Sequence, residues 1–194
     1  DCMVFMTDVS IEGLMETKRK AKGLKNVYIL QSDLHNLAFK ESIFDYVWSE
    51  GVLHHTYSTL KALISVEKTL KKQGMIYIWL YANYKKSYYL FVRDVFFIAY
   101  KLPFWAIYIL SVLLSIPYYF FNLIHVNLKK ILAPSTKRLL KERPLSSIIF
   151  STYDSLNPRY QYRHSKEEAT SWFKKLKYKN IRIVGDLGVV AKKN

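Results

Sequence analysis

The sequence predicts an α/β protein whose parallel sheet carries helices on both faces. Two observations predict it: four short runs of continuous apolar residues, and, between them, segments with helical periodicity and their own start and stop residues. Strands apolar on both faces must be covered on both faces, and parallel neighbours need crossover connections, which is the doubly wound arrangement.

The first run, Met3-Val4-Phe5-Met6, reads as a buried strand ending in the turn Thr7-Asp8-Val9-Ser10. Ser10 is placed to cap a helix over about 11–22: Glu12 sits in the positive first turn, Lys18, Arg19, Lys20 and Lys22 crowd the negative end, and Gly23 closes it. Val27-Tyr28-Ile29-Leu30 is the second strand, ending in Gln31-Ser32-Asp33, and Phe44-Asp45-Tyr46-Val47-Trp48 the third, ending in Ser49-Glu50-Gly51. A helix follows near 58–72, with Leu60, Leu63, Ile64 and Leu70 on one face and Gly74 as its stop after Lys71-Lys72. Met75-Ile76-Tyr77-Ile78-Trp79-Leu80 is the fourth strand. Composition then divides the chain into three zones: α/β core at 1–84, an aromatic and apolar insert at 85–150, and a polar, then strand-like segment at 151–194.

A charged fraction of 23% with 16% aromatic residues excludes a largely disordered chain. The lone Cys2 excludes an intrachain disulfide framework and a multi-cysteine zinc site, and fits a reducing, cytoplasmic compartment. Net charge is +15, and segment 85–143 holds ten cations against two anions. Those cations bracket an apolar stretch rather than alternating with aromatics along one face, so the pattern points to an anionic membrane surface and no nucleic acid is expected. His54 and His55 have no third ligand at fitting spacing, and no metal is expected; one is read as lining a pocket rim and the other as structural.

In doubly wound sheets ligands bind beyond the carboxyl ends of the strands, which singles out Asp8, Asp33 and Ser49. A carboxylate at a strand end can accept bonds from both hydroxyls of a ribose, and Asp8 is placed for that. It is equally a turn former before a capped helix. Asp33 can accept from an adenine amino group while the Leu34 backbone N–H donates to the ring, and Ser32-Asp33 is also a plain turn signal.

Taken together, these segments resemble the class I S-adenosylmethionine-dependent methyltransferases, in particular the small-molecule and quinone-biosynthesis-like group. The resemblance is carried by Thr7-Asp8-Val9-Ser10, by the stretch Gln31 to Phe39, and most specifically by Phe44-Asp45-Tyr46-Val47-Trp48-Ser49-Glu50-Gly51-Val52-Leu53-His54-His55-Thr56. It continues at Asp154 to Tyr160, at Ser165-Lys166-Glu167-Glu168 as a capping box, and at Trp172-Phe173 and Ile181 to Val184. The resemblance implies a Rossmann-like sheet closed by an antiparallel hairpin of Ile181–Val184 and Gly188–Ala191. It implies S-adenosylmethionine as cofactor, its ribose held by Asp8, its adenine by Asp33 and the Leu34 backbone with Val9 against the ring face, and its methionine moiety beside Ser49. No catalytic residue is assigned. The family has Pro where Ala38 stands and usually Gly where Gln73 stands. No Gly-rich loop and first strand precede Asp8, so the sequence reads as an N-terminally truncated piece of that fold, expected to bind the cofactor weakly and to expose strand edges.

From Leu102 to Leu128 no residue is charged, and 27 residues of helix would reach roughly 40 Å, past the ~30 Å hydrocarbon core. A single crossing would put two parts of one sheet on opposite sides of a membrane. The insert is therefore expected to be a helical lid, an interfacial element, or a re-entrant hairpin broken at Ser115-Ile116-Pro117. The implied activity is methyl transfer to a small, apolar or lipid-like acceptor by a cytoplasmic enzyme, peripheral at the membrane. The competing reading is a membrane-associated interaction protein with a degenerate methyltransferase-like fold.

Overall fold

The computed structural model describes residues 2–83, 88–132 and 143–194, with backbone alone for 88–90 and 129–132. In chain order the elements are β1 (Val4–Asp8), α1 (Ile11–Lys20), β2 (Val27–Gln31), β3 (Phe44–Glu50), α2 (Thr59–Thr69), β4 (Leu70–Trp79), α3 (Tyr88–Val95), α4 (Phe104–Leu132), α5 (Leu145–Leu156), α6 (Lys166–Lys175), β5 (Lys179–Val184) and β6 (Gly188–Lys192). They form two compact units, residues 1–84 with 162–194, and residues 85–161. The second unit runs past position 150, where composition places the end of the insert, because α5 packs on α4.

In the first unit β1 and β2 pair in parallel, and a separate four-stranded sheet has the order β3-β4-β6-β5. β3 and β4 are parallel, and β6 is antiparallel to both its neighbours, so the expected closing hairpin is present. The single parallel sheet expected over residues 1–84 is split. Between the two sheets stand ring contacts instead of backbone bonds: Phe44 lies 5.6 Å from Phe5 and 4.9 Å from Phe39. β1 also differs from its reading as a buried strand, with Val4, Phe5 and Met6 38–42% exposed. Continuous apolar character sets a strand's demand for burial and leaves open which neighbour meets it.

The core of this unit forms around β4, where Ile76 and Ile78 meet Leu63 of α2, Phe173 of α6 and Val189 of β6. Side-chain caps start three helices: Ser10 accepts from Gly13 N and Ser165 from Glu168 N, as the sequence reads, and Ser58, which the sequence reading did not single out, accepts from Lys61 N. The inward face of α2 is Thr59, Ala62, Leu63, Val66 and Thr69, while Leu60 and Ile64 lie outside it. The α2 helix ends at Thr69, earlier than its basic residues suggest. Its last carbonyls are met from far along the chain: Lys193 Nζ donates to Glu67 O and Leu70 O, each at 2.9 Å, and pairs with the Glu67 carboxylate at 2.7 Å.

Leu70 therefore begins a strand opposite Phe44, and the next pair is Tyr46 with Met75. The extra residues bulge out over Lys71–Gly74, held by Gln73 N to Lys193 O at 3.1 Å and Lys193 N to Gly74 O at 2.9 Å. Gln73 adopts φ 62°, the left-handed region. A β-carbon there is strained, so Gln73→Gly is expected to stabilise the protein by about 0.5–1 kcal/mol in chemical denaturation. A loss of stability would show that the Gln73 side chain outweighs the strain.

The second unit is helical. A small apolar core of Val92, Ala99, Ile107 and Leu156 joins α3, α4 and α5. α4 runs unbroken through Pro117, so the break expected at Ser115–Pro117 is absent; the ring removes one i→i−4 bond and the packed helix tolerates it. The residues buried along α4 include Ser111 and Ser115 beside Ile107 and Val126. Ser111 Oγ donates to Ile107 O at 2.7 Å, and Ser115 Oγ donates to Thr152 Oγ1 of α5 at 3.0 Å. Of the cations that flank the insert in sequence, Lys85, Lys86, Lys137, Arg138 and Lys141, and the side chains of Lys129 and Lys130, lie outside the described residues.

Candidate functional site

Asp8 closes β1 and Gln31 closes β2, in register with each other. Parallel pairing therefore brings the two following loops to one end of the strands. Ser32 N donates to Asp8 O at 3.1 Å, and Gln31 Nε2 donates to Val9 O at 2.9 Å, which ties the loops together. Asp8 is exposed, and its Oδ1 accepts from Ser10 N at 2.9 Å, which orients the carboxylate over the start of α1. Val9 is 70% exposed, an apolar side chain standing in solvent beside that carboxylate.

Asp33 sits two residues past β2. Its Oδ1 accepts from His35 N at 2.9 Å and faces His35 Nδ1 at 3.2 Å. The backbone bond from His35, reinforced by its side chain, holds the Asp33 carboxyl below its ordinary range, so it is an anionic acceptor at neutral pH. Leu34 packs its side chain against the core, which fixes the backbone between Asp33 and His35.

The His35 ring stacks on Tyr57 at 3.8 Å, and its Nε2 faces Ser58 O at 3.2 Å. The loop after β2 is thereby joined to the loop after β3. Sequence reasoning gave His35 no part in the site; the Ser32-Asp33 turn signal was visible, but a ring partner of His35 22 positions away was not. Ser49 lies one residue from the end of β3, half-buried, with its backbone opposite Ile78 of β4. Among the described residues it makes no hydrogen bond to the Asp8 or Asp33 loops. Asp8, Val9, Asp33 and Leu34 are thus brought together, and Ser49 stands on β3 in the other sheet.

The paired histidines differ in burial. His54 is fully buried with neither ring nitrogen hydrogen-bonded, packed 4.0 Å from the Tyr81 ring and 4.3 Å from His55. Burial, and then the Coulombic effect of His55, His164 and Arg163, pushes its pKa down to about 3, so it is neutral. His55 is half-buried. His164, which carries no motif in the sequence, bridges Glu168 Oε2 at 3.1 Å and Thr59 Oγ1 at 3.0 Å. Glu168 thus serves His164, and among the described bonds the capping box shows only its Ser165 half. No cluster of three or more metal-ligating side chains occurs among the described residues.

Residues 2–78 match the methyltransferase domain family. A sequence comparison with curated proteins returns no match. Among solved structures the chain is similar to a SAM-dependent methyltransferase from Aquifex aeolicus, with 14% identity and a TM-score of 0.51 over 99% of this chain and 69% of that one. A second methyltransferase, from Thermotoga maritima, gives 11% identity and a TM-score of 0.52 over 98% and 73% of the two chains. The CurJ carbon methyltransferase gives 11% identity and 0.55 over 98% and 41%. Other structures are matched over only 29–36% of their own length.

The fold is similar to that of these S-adenosylmethionine-dependent methyltransferases. The match of residues 2–78 is to a methyltransferase domain and covers less than half of the chain.

Proposed function

We propose that this chain serves S-adenosylmethionine-dependent methyl transfer to a small, apolar or lipid-like acceptor, as a cytoplasmic enzyme peripheral at the membrane. The observation that carries the cofactor reading is the pair of carboxylates, Asp8 and Asp33, on loops bonded together through Ser32 N and Asp8 O at 3.1 Å at the carboxyl ends of parallel strands. The donor and acceptor set fits an adenosine: Asp8 accepts from the ribose hydroxyls, Asp33 from the adenine amine, Leu34 N–H donates to the ring, and exposed Val9 packs on its face. Ser49, at the end of β3, is assigned to the methionine side. When bound, the cofactor supplies an electrophilic sulfonium methyl; the chain's residues orient it, and an acceptor that is already nucleophilic requires no base. An apolar acceptor is supported by the apolar, aromatic composition of the insert, which has no charged residue from Leu102 to Leu128.

The test is a nuclear magnetic resonance titration, which reads weak binding as well as tight. S-adenosylmethionine should move the amide signals of Val9, Ser10, Gly13, Leu34 and His35. Saturating cofactor that leaves these signals in place would overturn the assignment. Transfer of labelled methyl into the organic-soluble fraction of a lipid extract reads the acceptor class, and label confined to water-soluble products would exclude a lipid-like acceptor.

A further inference from the structure

The long helix of the second unit turns large apolar side chains outward and buries hydroxyls. Its inner face mixes Ile107 and Val126 with Ser111 and Ser115, the last bonded across to Thr152. Its outward stripe, at helical spacing, is Trp105, Ile109, Leu113, Phe120, Ile124 and Leu128, each 51–61% exposed. A helix facing water places serines outward and leucines inward. The opposite arrangement, with hydroxyls bonding between helices and apolar side chains turned away from the protein, suits hydrocarbon as the outer medium.

Two further observations decide the occupant and its geometry. From Val95 to Lys141 the sequence holds six cations and no Asp or Glu. Two copies meeting through this segment would oppose like charges, whereas an anionic lipid surface complements it. The chain leaves the first unit near Asn83 and returns near His164, and these points are held together by Asn83 N to His164 O at 3.1 Å and by the Ala82–His164 bridge. Entry and exit therefore lie on one side of any membrane. α4 has 29 residues, roughly 43 Å of helix, while the return segment contains the charged run from Lys137 to Arg143 and cannot cross.

We propose that α4 lies in the plane of an anionic leaflet, its outward stripe in the acyl region and its serine stripe against α5. This deepens the peripheral location proposed above and is independent of the cofactor reading. The full chain should sediment with vesicles of phosphatidylcholine containing phosphatidylglycerol roughly tenfold more strongly than with pure phosphatidylcholine, and the difference should shrink above ~0.15 M salt. The double substitution Leu113→Glu with Phe120→Glu should abolish binding while far-ultraviolet circular dichroism and the cofactor titration stay unchanged. Should that variant misfold, brominated lipid still decides: it should quench a fraction of tryptophan emission that Trp105→Phe removes. The proposal is overturned by absence of binding to anionic vesicles at low salt, by equal binding to neutral ones, by an unquenched Trp105, or by a stripe-dependent dimer that ignores vesicles. Asp8→Ala should bind vesicles like the parent, so failure of the cofactor reading and failure of this one are told apart.

Discussion

Acidification from pH 7 to pH 5 is expected to destabilise the first unit by about 2 kcal/mol through His54 alone, taking the ordinary histidine pKa near 6.5 for the unfolded chain. The folded pKa, about 3, lies below that value. The unfolded state therefore binds the extra proton between these limits, and stability is full above pH 6.5 and falls as pH drops toward 3. Urea denaturation at pH 7 and pH 5 measures the effect. His54→Leu should remove most of the pH dependence, and it should also raise stability at pH 7 by about 1 kcal/mol or more, since it removes two ring nitrogens buried without partners. An unchanged pH profile in His54→Leu would show that His54 has a partner in solution.

Replacing Asp8 by alanine is expected to weaken S-adenosylmethionine binding by roughly 10- to 150-fold, the loss of a charge-assisted bond of about 1.5–3 kcal/mol. Because Asp8 Oδ1 also holds Ser10 N, alanine removes a turn contact along with the ribose acceptor. Asp8→Asn separates the two roles: its amide oxygen still accepts from Ser10 N, while the charge is gone. Calorimetric titration of the three proteins should rank aspartate above asparagine above alanine. Equal affinities would remove Asp8 from the cofactor site.

Features decided by neighbours in sequence were legible before the fold was known. Ser10 and Ser165 cap their helices because capping is settled within three residues, and the Asp33 turn closes on His35 for the same reason. Features decided by distant partners were not. Leu70-Lys71-Lys72 has the composition of a helix end, yet Lys193 and Phe44 draw it into a strand and a bulge. The split between the β1–β2 pair and the other sheet was equally hidden, since Val4 to Asp8 states a need for cover and not its source. Of the site, the Asp8 and Asp33 positions follow from strand ends alone; the His35–Tyr57 stack that joins a third loop to them depends on tertiary packing.

The position of β6 between β4 and β5 has a consequence for how this protein is made. β6 follows every other described element in sequence, yet it occupies an interior place in its sheet, so during translation β4 waits with one edge unsatisfied until residues 188–192 leave the ribosome. The anchoring of α2 by Lys193 is delayed with it. The first unit therefore cannot close vectorially from its N-terminal side, and the long apolar helix of the second unit emerges while the sheet is still open. Nascent chains should remain protease-sensitive until β6 is extruded.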